Sequence, residues 1–491
     1  MPEETDIRCA PDYGWTGGIM RKSRIAIVPI VCVLVLLVGL PVKADLPSRV
    51  RRVNVPYFDG DISYSRTAIF WYGQVTRDTV YTDVRVGYND AELYINLAVF
   101  DRLLWYDPSP DRTTLTEWDA ATLYLGLDGP AGETANGRTL RLDAQLTWWE
   151  KPRTAWQAAH RSGSGVWEAA ELPFTTEAGW RGDAPNNAEE DRGWVLTFHI
   201  PFSSLGLDGP PPQGTVWGLG LKTHNRNAGT AGATVSHTTW PEALEDNRPA
   251  TWGQLAFGVP VHVSPTIPAD TVTVRHKLNG ATVLEGAVGG GSVCGNGLDY
   301  WTEWGQRHTA GETFFNVQNQ SDVSDWPCFS KYYVTFPLDA LPRGKEIASA
   351  SLTLHNWGNA GEGWDPEPQP SYIQVLSVGE GWTPESLSWN GAPLARENLS
   401  GRWVSPVESY PGYPGFAYVW DVGRAVEEAY AAGEPVRLVV YSADSAYHSG
   451  RYFYSSATED MNAEGRPTLS VSWGDPGNMP PPRLWLPLAL R

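Results

Sequence analysis

The residues of this chain that could do chemistry are above all its aromatic rings. The 491 residues include 24 Trp, 21 Tyr and 13 Phe. Sugars are bound largely by stacking their apolar C–H faces on such rings, while planar polar groups fix the hydroxyls. Trp148 and Trp149 are adjacent, so in a strand they point to opposite faces, and one of them is predicted to be exposed. Because Trp also fills β-sandwich cores, we expect most of the rings to serve packing.

Motifs of the common catalytic sites do not occur in the sequence. It has no HExxH, no GxSxG, no phosphate-binding P-loop and no dinucleotide-binding GxGxxG after a strand. The paired carboxylates of a glycoside hydrolase are set by folded geometry and not by spacing, so a hydrolase with such a pair stays an open alternative. The sequence predicts a noncatalytic protein.

Candidate metal ligands are few. Asp59 and Asp61 flank a glycine near the first strand and are candidate calcium ligands, although Asp-Gly-Asp is as often a plain turn. The sequence has no CxxC motif and no Cys/His cluster with the spacing of a zinc site. Calcium is therefore the one cofactor that the residues themselves suggest.

The clearest secondary structure in the sequence is a hairpin between residues 81 and 101, which belongs to the framework that must position the candidate functional residues. Apolar residues alternate with polar ones in both arms, at Val84, Val86 and Tyr88 and then at Leu93, Ile95, Leu97 and Val99. Asn89 and Asp90 between the arms suit a tight turn, because both tolerate a left-handed backbone. The pattern predicts an antiparallel sheet.

The whole chain has the composition of an all-β protein. It holds 50 Gly and 39 Pro, and only residues 422–432 predict a helix, ended by Gly433 and Pro435. Short alternating strands with frequent turn signals predict two jelly-roll-like β-sandwich modules in tandem. We place the modules at residues 45–257 and 270–474, and the Pro-rich segment 258–269 between them is expected to be a stiff connector of independently folding units.

The first module resembles carbohydrate-binding module family 9 and its DOMON-like relatives through the hairpin sequence DVRVGYNDAELYINLAVFD. Further blocks follow in the family's order: FDG (58–60), WDAATLYLGLD (118–128), IPFSSLG (200–206), VWGLGLK (216–222), SHTTWP (236–241) and TWGQLAF (251–257). The resemblance spans roughly residues 48–260. It implies a β-sandwich that stacks a sugar between two tryptophans.

Only some of the family's sugar-binding residues, which we call the sugar clamp, have counterparts in this chain. Trp118 lies about two positions from the first clamp tryptophan, Trp105 is nearby, and Arg141 matches an arginine of the next strand. The segment that supplies the second tryptophan reads EALEDNRPA here, at 242–250, and contains none. A glutamate of the family is replaced by Thr122 in this chain, and a glutamine of a later strand is replaced by Lys222.

DOMON-like domains can also hold haem, which leaves a redox protein as an alternative. Haem iron takes axial ligands such as Met and His. The first module contains no methionine, so a Met/His pair is excluded there. A bis-His site would have to come from His160, His199, His224 or His237.

The second module resembles the DNRLRE domain, which overlaps carbohydrate-binding module family 96. The matching blocks are KYYVTFPLDALPRGKEIASASLTLH (331–355), GWTPESLSWNGAP (381–393), YVWDVGRAVEEAYAAGEPVRLVVYS (418–442) and RYFYSSATEDMNAEGRPTLSVSW (451–473). The resemblance implies a noncatalytic module of secreted proteins that is often linked to polysaccharide binding.

The N-terminal residues predict secretion. Basic residues from Arg21, an apolar run over 25–40 and a small-residue site at Ala44 form a signal peptide, and translation is expected to start at Met20. The apolar run is too short for a membrane span, so no stable span is expected after cleavage. The mature chain would keep only Cys294 and Cys328, which could close one disulfide in an oxidising compartment.

Charge limits the partners. The net charge of −19 repels nucleic acid and anionic membranes. The predicted protein is secreted and noncatalytic and binds a polysaccharide or cell-surface glycan. The Pro-rich and apolar tail, residues 475–491, could retain it at the surface, and a structural or adhesive surface protein is the alternative.

Overall fold

β-Strands dominate this computed structural model, which describes residues 50–147, 153–290, 297–308, 311–319, 328–361, 363, 367–444 and 449–477. The all-β prediction is confirmed. The helix predicted near residue 422 is also present, as α1 (Gly423–Ala432), and it ends at Gly433 in the left-handed conformation. None of the described helices has the length and apolarity that crossing a membrane requires.

The first half of the described chain contains thirteen strands. They are β1 (Arg52–Val55), β2 (Ala68–Gly73), β3 (Tyr81–Tyr88), β4 (Glu92–Phe100), β5 (Ala120–Gly126), β6 (Thr139–Gln145), β7 (Gln157–Gly163), β8 (Val166–Ala169), β9 (Thr175–Arg181), β10 (Gly193–Pro201), β11 (Val216–Arg226), β12 (Val235–Trp240) and β13 (Gly253–Phe257). Short 3-10 helices connect some of them, at Tyr64–Arg66, Leu115–Glu117, Arg153–Trp156, Phe202–Leu205 and Pro249–Thr251.

The second half contains the remaining described strands. They are β14 (Asp270–Arg275), β15 (Leu284–Gly289), β16 (Phe314–Val317), β17 (Ser330–Phe336), β18 (Glu346–Asn359), β19 (Ser371–Val378), β20 (Ala395–Val404), β21 (Phe416–Asp421), β22 (Val436–Ser442), β23 (Arg451–Tyr454) and β24 (Thr468–Gly474). Its 3-10 helices are Leu278–Gly280, Trp304–Gln306, Pro384–Ser386 and Asp460–Gly465.

Three sheets hold these strands. A 13-stranded sheet has the order β15-β17-β22-β19-β20-β1-β13-β11-β5-β6-β7-β8, with β12 beside β11. A five-stranded sheet has the order β2-β3-β4-β10-β9, and a six-stranded sheet has the order β14-β24-β18-β23-β16, with β21 beside β18. The large sheet crosses from one half to the other where β1 and β20 run parallel and pair at Arg52 and Glu397.

The predicted hairpin is present as β3 and β4, which pair antiparallel from Tyr88 opposite Leu93 to Tyr81 opposite Phe100. The turn works differently from the prediction, because neither Asn89 nor Asp90 has a positive φ. Instead, the Asn89 side-chain oxygen accepts the N–H groups of Ala91 and Glu92, at 2.9 and 3.0 Å. An asparagine side chain that caps the turn in this way removes the need for a left-handed residue.

Each half packs two sheets over its own apolar core. In the first half the alternating residues of β3 and β4 face inward against Leu123, Leu142 and Leu221 of the large sheet. In the second half Leu352 and Leu354 of β18 meet Val334 and Val375 across the sandwich. These are the packed sandwich layers that period-two patterning predicts.

A third cluster joins the two halves. The outer face of the five-stranded sheet contributes Trp71 and Tyr81, which pack with Tyr333, Trp389 and Tyr441 of the second half. The five-stranded sheet is therefore covered on both faces at β2 and β3, and all residues of β3 are buried. The described chain, which lies within the segment from Arg49 onward, accordingly forms one compact unit.

Several predictions concern residues beyond this description. The leader and signal peptide, Trp148, Trp149, Cys294 and the end of the tail lie outside the described residues. Cys328 is buried, and its pairing with Cys294 stays a prediction. Segment 258–269 contains no described strand, and Val261 and Val263 are exposed. The domain limits on either side of this segment stay predictions.

Candidate functional site

One face of the large sheet carries a connected group of polar residues. Leu123, Leu142 and Leu221 point into the core, so their strand neighbours point to the opposite, outer face. Thr122 pairs with Asp143 on one side and with Lys222 on the other, which brings β6, β5 and β11 together there. We call the outer side of β5, β6, β7 and β11 the outer face.

Asp143 is the centre of the outer face. Its buried carboxylate accepts the Thr122 hydroxyl at 2.6 Å and the Arg141 Nε–H at 3.0 Å, and His160 Nδ1 lies 3.4 Å away. Burial lowers the pKa of Arg141, but the charge and hydrogen bond of Asp143, together with Tyr124 and Asp246, outweigh it, so that the net shift is upward. Arg141 is thus a fixed cation whose side chain remains 24% exposed to solvent.

His224 extends this network. Its Nε2 lies 2.9 Å from the Thr122 oxygen, and because the Thr122 hydroxyl donates to Asp143, the histidine must donate to Thr122. That assigns the proton to Nε2 and leaves Nδ1 as a bare acceptor, which is buried without a hydrogen-bond partner among the described residues. Burial, followed by the nearby His237 and Lys222, lowers the pKa of His224, so the ring is neutral.

Asp119 connects the chain segments of Trp105 and Trp118 at one end of the outer face. The Asp119 N–H donates to the Trp105 carbonyl at 3.0 Å, and its carboxylate accepts the N–H groups of Trp105 and Arg226. The Arg226 guanidinium carbon lies 4.0 Å from the centre of the Trp118 ring. Arg226 therefore covers one face of that ring, and the half-buried Trp118 keeps only part of its surface for a ligand.

The two predicted clamp residues, Trp118 and Arg141, share the outer face but occupy different parts of it. Trp118 is extended and leads directly into β5, so Trp118, Ala120 and Thr122 project from the same side. Trp118 and Thr122 are about 13 Å apart along the strand. Ala120, which lies between the ring and the polar network, is fully buried.

The other end of the outer face is covered by segment 242–250, in which the resemblance requires a tryptophan that this chain lacks. Asp246 of this segment forms an ion pair with Lys222. Leu244 packs so closely over Gly220 that an added Cβ would come within 2.4 Å of its Cδ1. Trp167 of β8 and Trp252 both lie beside Tyr124 at this end, with ring centres 5.9 and 5.4 Å from that of Tyr124.

Three buried carboxylates lie near the end of the outer face where Trp105 and Trp118 are found. Burial raises the pKa of Asp101 to about 7 and that of Asp191 to about 6. Burial, with the charge of Asp101, also raises the pKa of Asp119 well above its ordinary value. Asp101 accepts the Trp194 Nε1–H at 3.1 Å, so these acids hold strands and loops in place.

The predicted calcium ligands and the histidines of the haem alternative lie in different parts of the first half. Asp59 and Asp61 are exposed, and the described residues contain no group of three or more His, Cys, Asp or Glu arranged to hold a metal ion. His199 lies on β10, 3.0 Å from Glu92, whereas His160 and His224 lie on the outer face and His237 of β12 pairs with His224. The calcium and redox hypotheses stay predictions.

Sequence reasoning missed the Asp143–Thr122–His224 network. The alternation of Arg141 and Asp143 in RLDAQ would have placed both on one face of β6. Their connection to His224 depends on which strands are neighbours, and strand order is not visible in the pattern of a single strand.

Comparisons with known proteins find structural likeness only. No family model matches the chain, and no curated protein matches it. Two similar solved structures are a carbohydrate-binding module of family 9 from Caldicellulosiruptor kristjanssonii with cellotriose and with glucose, each 14% identical with a TM-score of 0.30. They cover 43% and 44% of this chain and 100% of their own. A putative carbohydrate-binding protein from Bacteroides uniformis is 12% identical with a TM-score of 0.33, covering 42% of this chain and 99% of its own.

Proposed function

We propose that this protein is a noncatalytic carbohydrate-binding protein whose ligand is a neutral polysaccharide held on the outer face. The observation that carries the proposal is the Arg141–Asp143–Thr122–His224 network, which lies on the same face as the half-buried Trp118. Planar groups with fixed donors and acceptors beside an aromatic ring are the combination that sugar recognition uses.

The network is suited to hydroxyl groups because it is organised before a ligand arrives. Arg141 retains donors beyond the Nε–H that it gives to Asp143, and the buried Thr122 and His224 hold that carboxylate in place. A site whose side chains are already fixed loses less conformational entropy on binding than a mobile one. The net charge of −19 disfavours an anionic glycan.

The signal-peptide sequence supports a secreted location for this function, with the Pro-rich tail as a candidate retention element. The alternative is a structural surface protein in which both sandwiches are spacers. Cell fractionation combined with glycan binding separates the two, since a spacer would stay with the envelope and show no glycan preference.

The direct test uses the full mature chain in affinity electrophoresis against soluble β-glucan, xylan and mannan. We expect retention by at least one of these, weakened about tenfold or more by Arg141→Ala. The matched control is Arg138→Ala, because Arg138 lies just before the same strand, is half exposed and pairs only with the exposed Asp128 at 3.0 Å among the described contacts. Equal retention of both variants, or no retention of the folded wild type, would contradict the proposal.

A further inference from the structure

The outer side of the six-stranded sheet in the second half carries a second aromatic surface. We call it the tyrosine platform, and its members are Phe314, Trp357, Tyr410, Tyr413, Tyr452 and Tyr454. Phe315 and Phe453 alternate with platform residues on β16 and β23 and point into the core. The platform rings therefore belong to the opposite face of the same strands.

Trp357 lies at the centre of the platform. Its ring centre is 5.2 Å from that of Phe314, 5.7 Å from that of Tyr452 and 5.9 Å from that of Tyr454. Tyr410 follows at 6.5 Å. The Trp357 indole N–H is buried without a hydrogen-bond partner among the described residues. The central ring is thus held by its neighbours on several sides.

Two tyrosines of the loop before β21 form the exposed part. Tyr410 is 61% and Tyr413 is 52% exposed, whereas large apolar and aromatic side chains of a sandwich are mostly buried. The Tyr410 and Tyr454 hydroxyls are 3.1 Å apart, and the Tyr413 ring centre is 5.7 Å from that of Tyr454. Asn359 fixes the base of the loop through both the N–H and the carbonyl of Val407, at 3.0 and 2.8 Å.

The charged residues around the platform indicate which kind of polysaccharide it could bind. The segments that carry it, 312–316, 355–359, 405–415 and 451–459, include Glu312, Glu408 and Glu459, all exposed. Their only Lys or Arg is Arg451, which is fully buried and donates to backbone carbonyls. An acidic rim without an exposed cation repels anionic polymers, while tyrosine rings with free edges stack on uncharged sugar faces.

We propose that the tyrosine platform is a second glycan-binding site, which stacks an uncharged polysaccharide on Tyr410 and Tyr413. It extends the proposed function to the second half of the chain, but it is carried by different residues on a different sheet. With two sites on one chain, a long polysaccharide would be held by both, and the apparent affinity would exceed that of either site.

The test uses the full mature chain and the probes β-glucan, xylan and mannan, with polygalacturonate as the anionic probe. In an Arg141→Ala background we expect residual retention by a neutral probe, and a Tyr410→Ala/Tyr413→Ala pair should reduce it at least fivefold. The Tyr410→Phe/Tyr413→Phe pair, which keeps the rings, should retain most of it. Tyr57→Ala is the control, because Tyr57 is 44% exposed and lies in the first half.

The experiment distinguishes failure of the outer-face site from failure of the tyrosine platform. If Arg141→Ala changes nothing but the tyrosine pair abolishes retention, the platform stands and the outer-face site falls. If the tyrosine pair has no effect on any neutral probe while far-UV circular dichroism shows a folded protein, the platform proposal is wrong. It is also wrong if polygalacturonate is retained through these tyrosines, or if the tyrosine pair changes only self-association in sedimentation.

Discussion

Asp143 shows how one buried side chain can organise a surface. It holds Arg141 directly and His224 through Thr122, so its loss should disorder the outer face while leaving the core intact. We expect Asp143→Asn to weaken glycan binding about as much as Arg141→Ala. Its unfolding free energy should fall by about 1 to 3 kcal/mol, since a charge-assisted bond becomes a neutral one. Binding isotherms and urea unfolding measure both effects.

That prediction has its own control. Asp128→Asn alters a carboxylate that is half exposed and paired only with Arg138 at the end of the same strand pair, among the described contacts. Exposed ion pairs contribute little, so its binding and stability should match the wild type. Asp143→Asn with unchanged affinity would show that the network has no part in ligand recognition.

The buried acids predict a pH dependence of stability. Burial raises the pKa of Asp101 to about 7 from an ordinary value of 3.8, so the native state binds this proton more tightly than the unfolded state. The free energy of unfolding should then fall as pH rises from about 4 to about 7, by up to about 4 kcal/mol for this group. In urea titrations over that pH range, the unfolding free energy of Asp101→Asn should change less with pH than that of the wild type. Parallel curves would contradict the assignment.

At the scale of elements, the sequence predicts strands better than turns. The alternation in β3 and β4 locates both strands and their inward residues, because one face of each strand packs on apolar neighbours. The turn between them depends on a side-chain contact of Asn89, which composition cannot distinguish from a left-handed backbone. The alternation of apolar and polar residues is visible along the chain and locates the strands. The geometry of the turn depends on individual hydrogen bonds, which the sequence does not show.

This turn can be tested. Asn89→Ala removes the acceptor for the Ala91 and Glu92 N–H groups and the bond to the Gly60 carbonyl at 2.9 Å. We expect a loss of about 1 kcal/mol in unfolding free energy, as for a typical capping bond. Asn89→Gly, which favours a left-handed turn, should not restore it. Full restoration by glycine would support the backbone mechanism that the sequence first suggested.

At the scale of the whole molecule, the polar residues of β3 explain what sequence could not foresee. Alternation predicts that Asp83 and Arg85 face water, since their neighbours Val84 and Val86 face the core. Both are instead buried between the halves. Asp83 accepts the Tyr441 hydroxyl at 2.8 Å, and Arg85 donates to the Ala443 carbonyl at 3.2 Å. A polar face looks the same in sequence whether water or another polar surface covers it.

The shared cluster makes a prediction about cooperativity. Lys331 of the second half lies among rings of both halves, 4.0 Å from the centre of Trp71 and 3.7 Å from that of Trp389, and donates to the Tyr81 hydroxyl at 2.6 Å. Burial lowers its pKa well below the ordinary lysine value, and only the partners in the interface offset that cost. Neither half can satisfy these groups alone, so the full chain should unfold in one calorimetric transition.

Trp71→Ala tests that coupling, because Trp71 is buried in the interface cluster and faces away from the first core. Its removal should cost about 3 to 5 kcal/mol, and the single transition should move as a whole to lower temperature. Tyr57→Ala, at an exposed site of the same half, should leave the transition within about 1 °C of the wild type. If Trp71→Ala lowers one of two separate transitions and leaves the other in place, the halves fold independently, as the Pro-rich segment 258–269 first suggested.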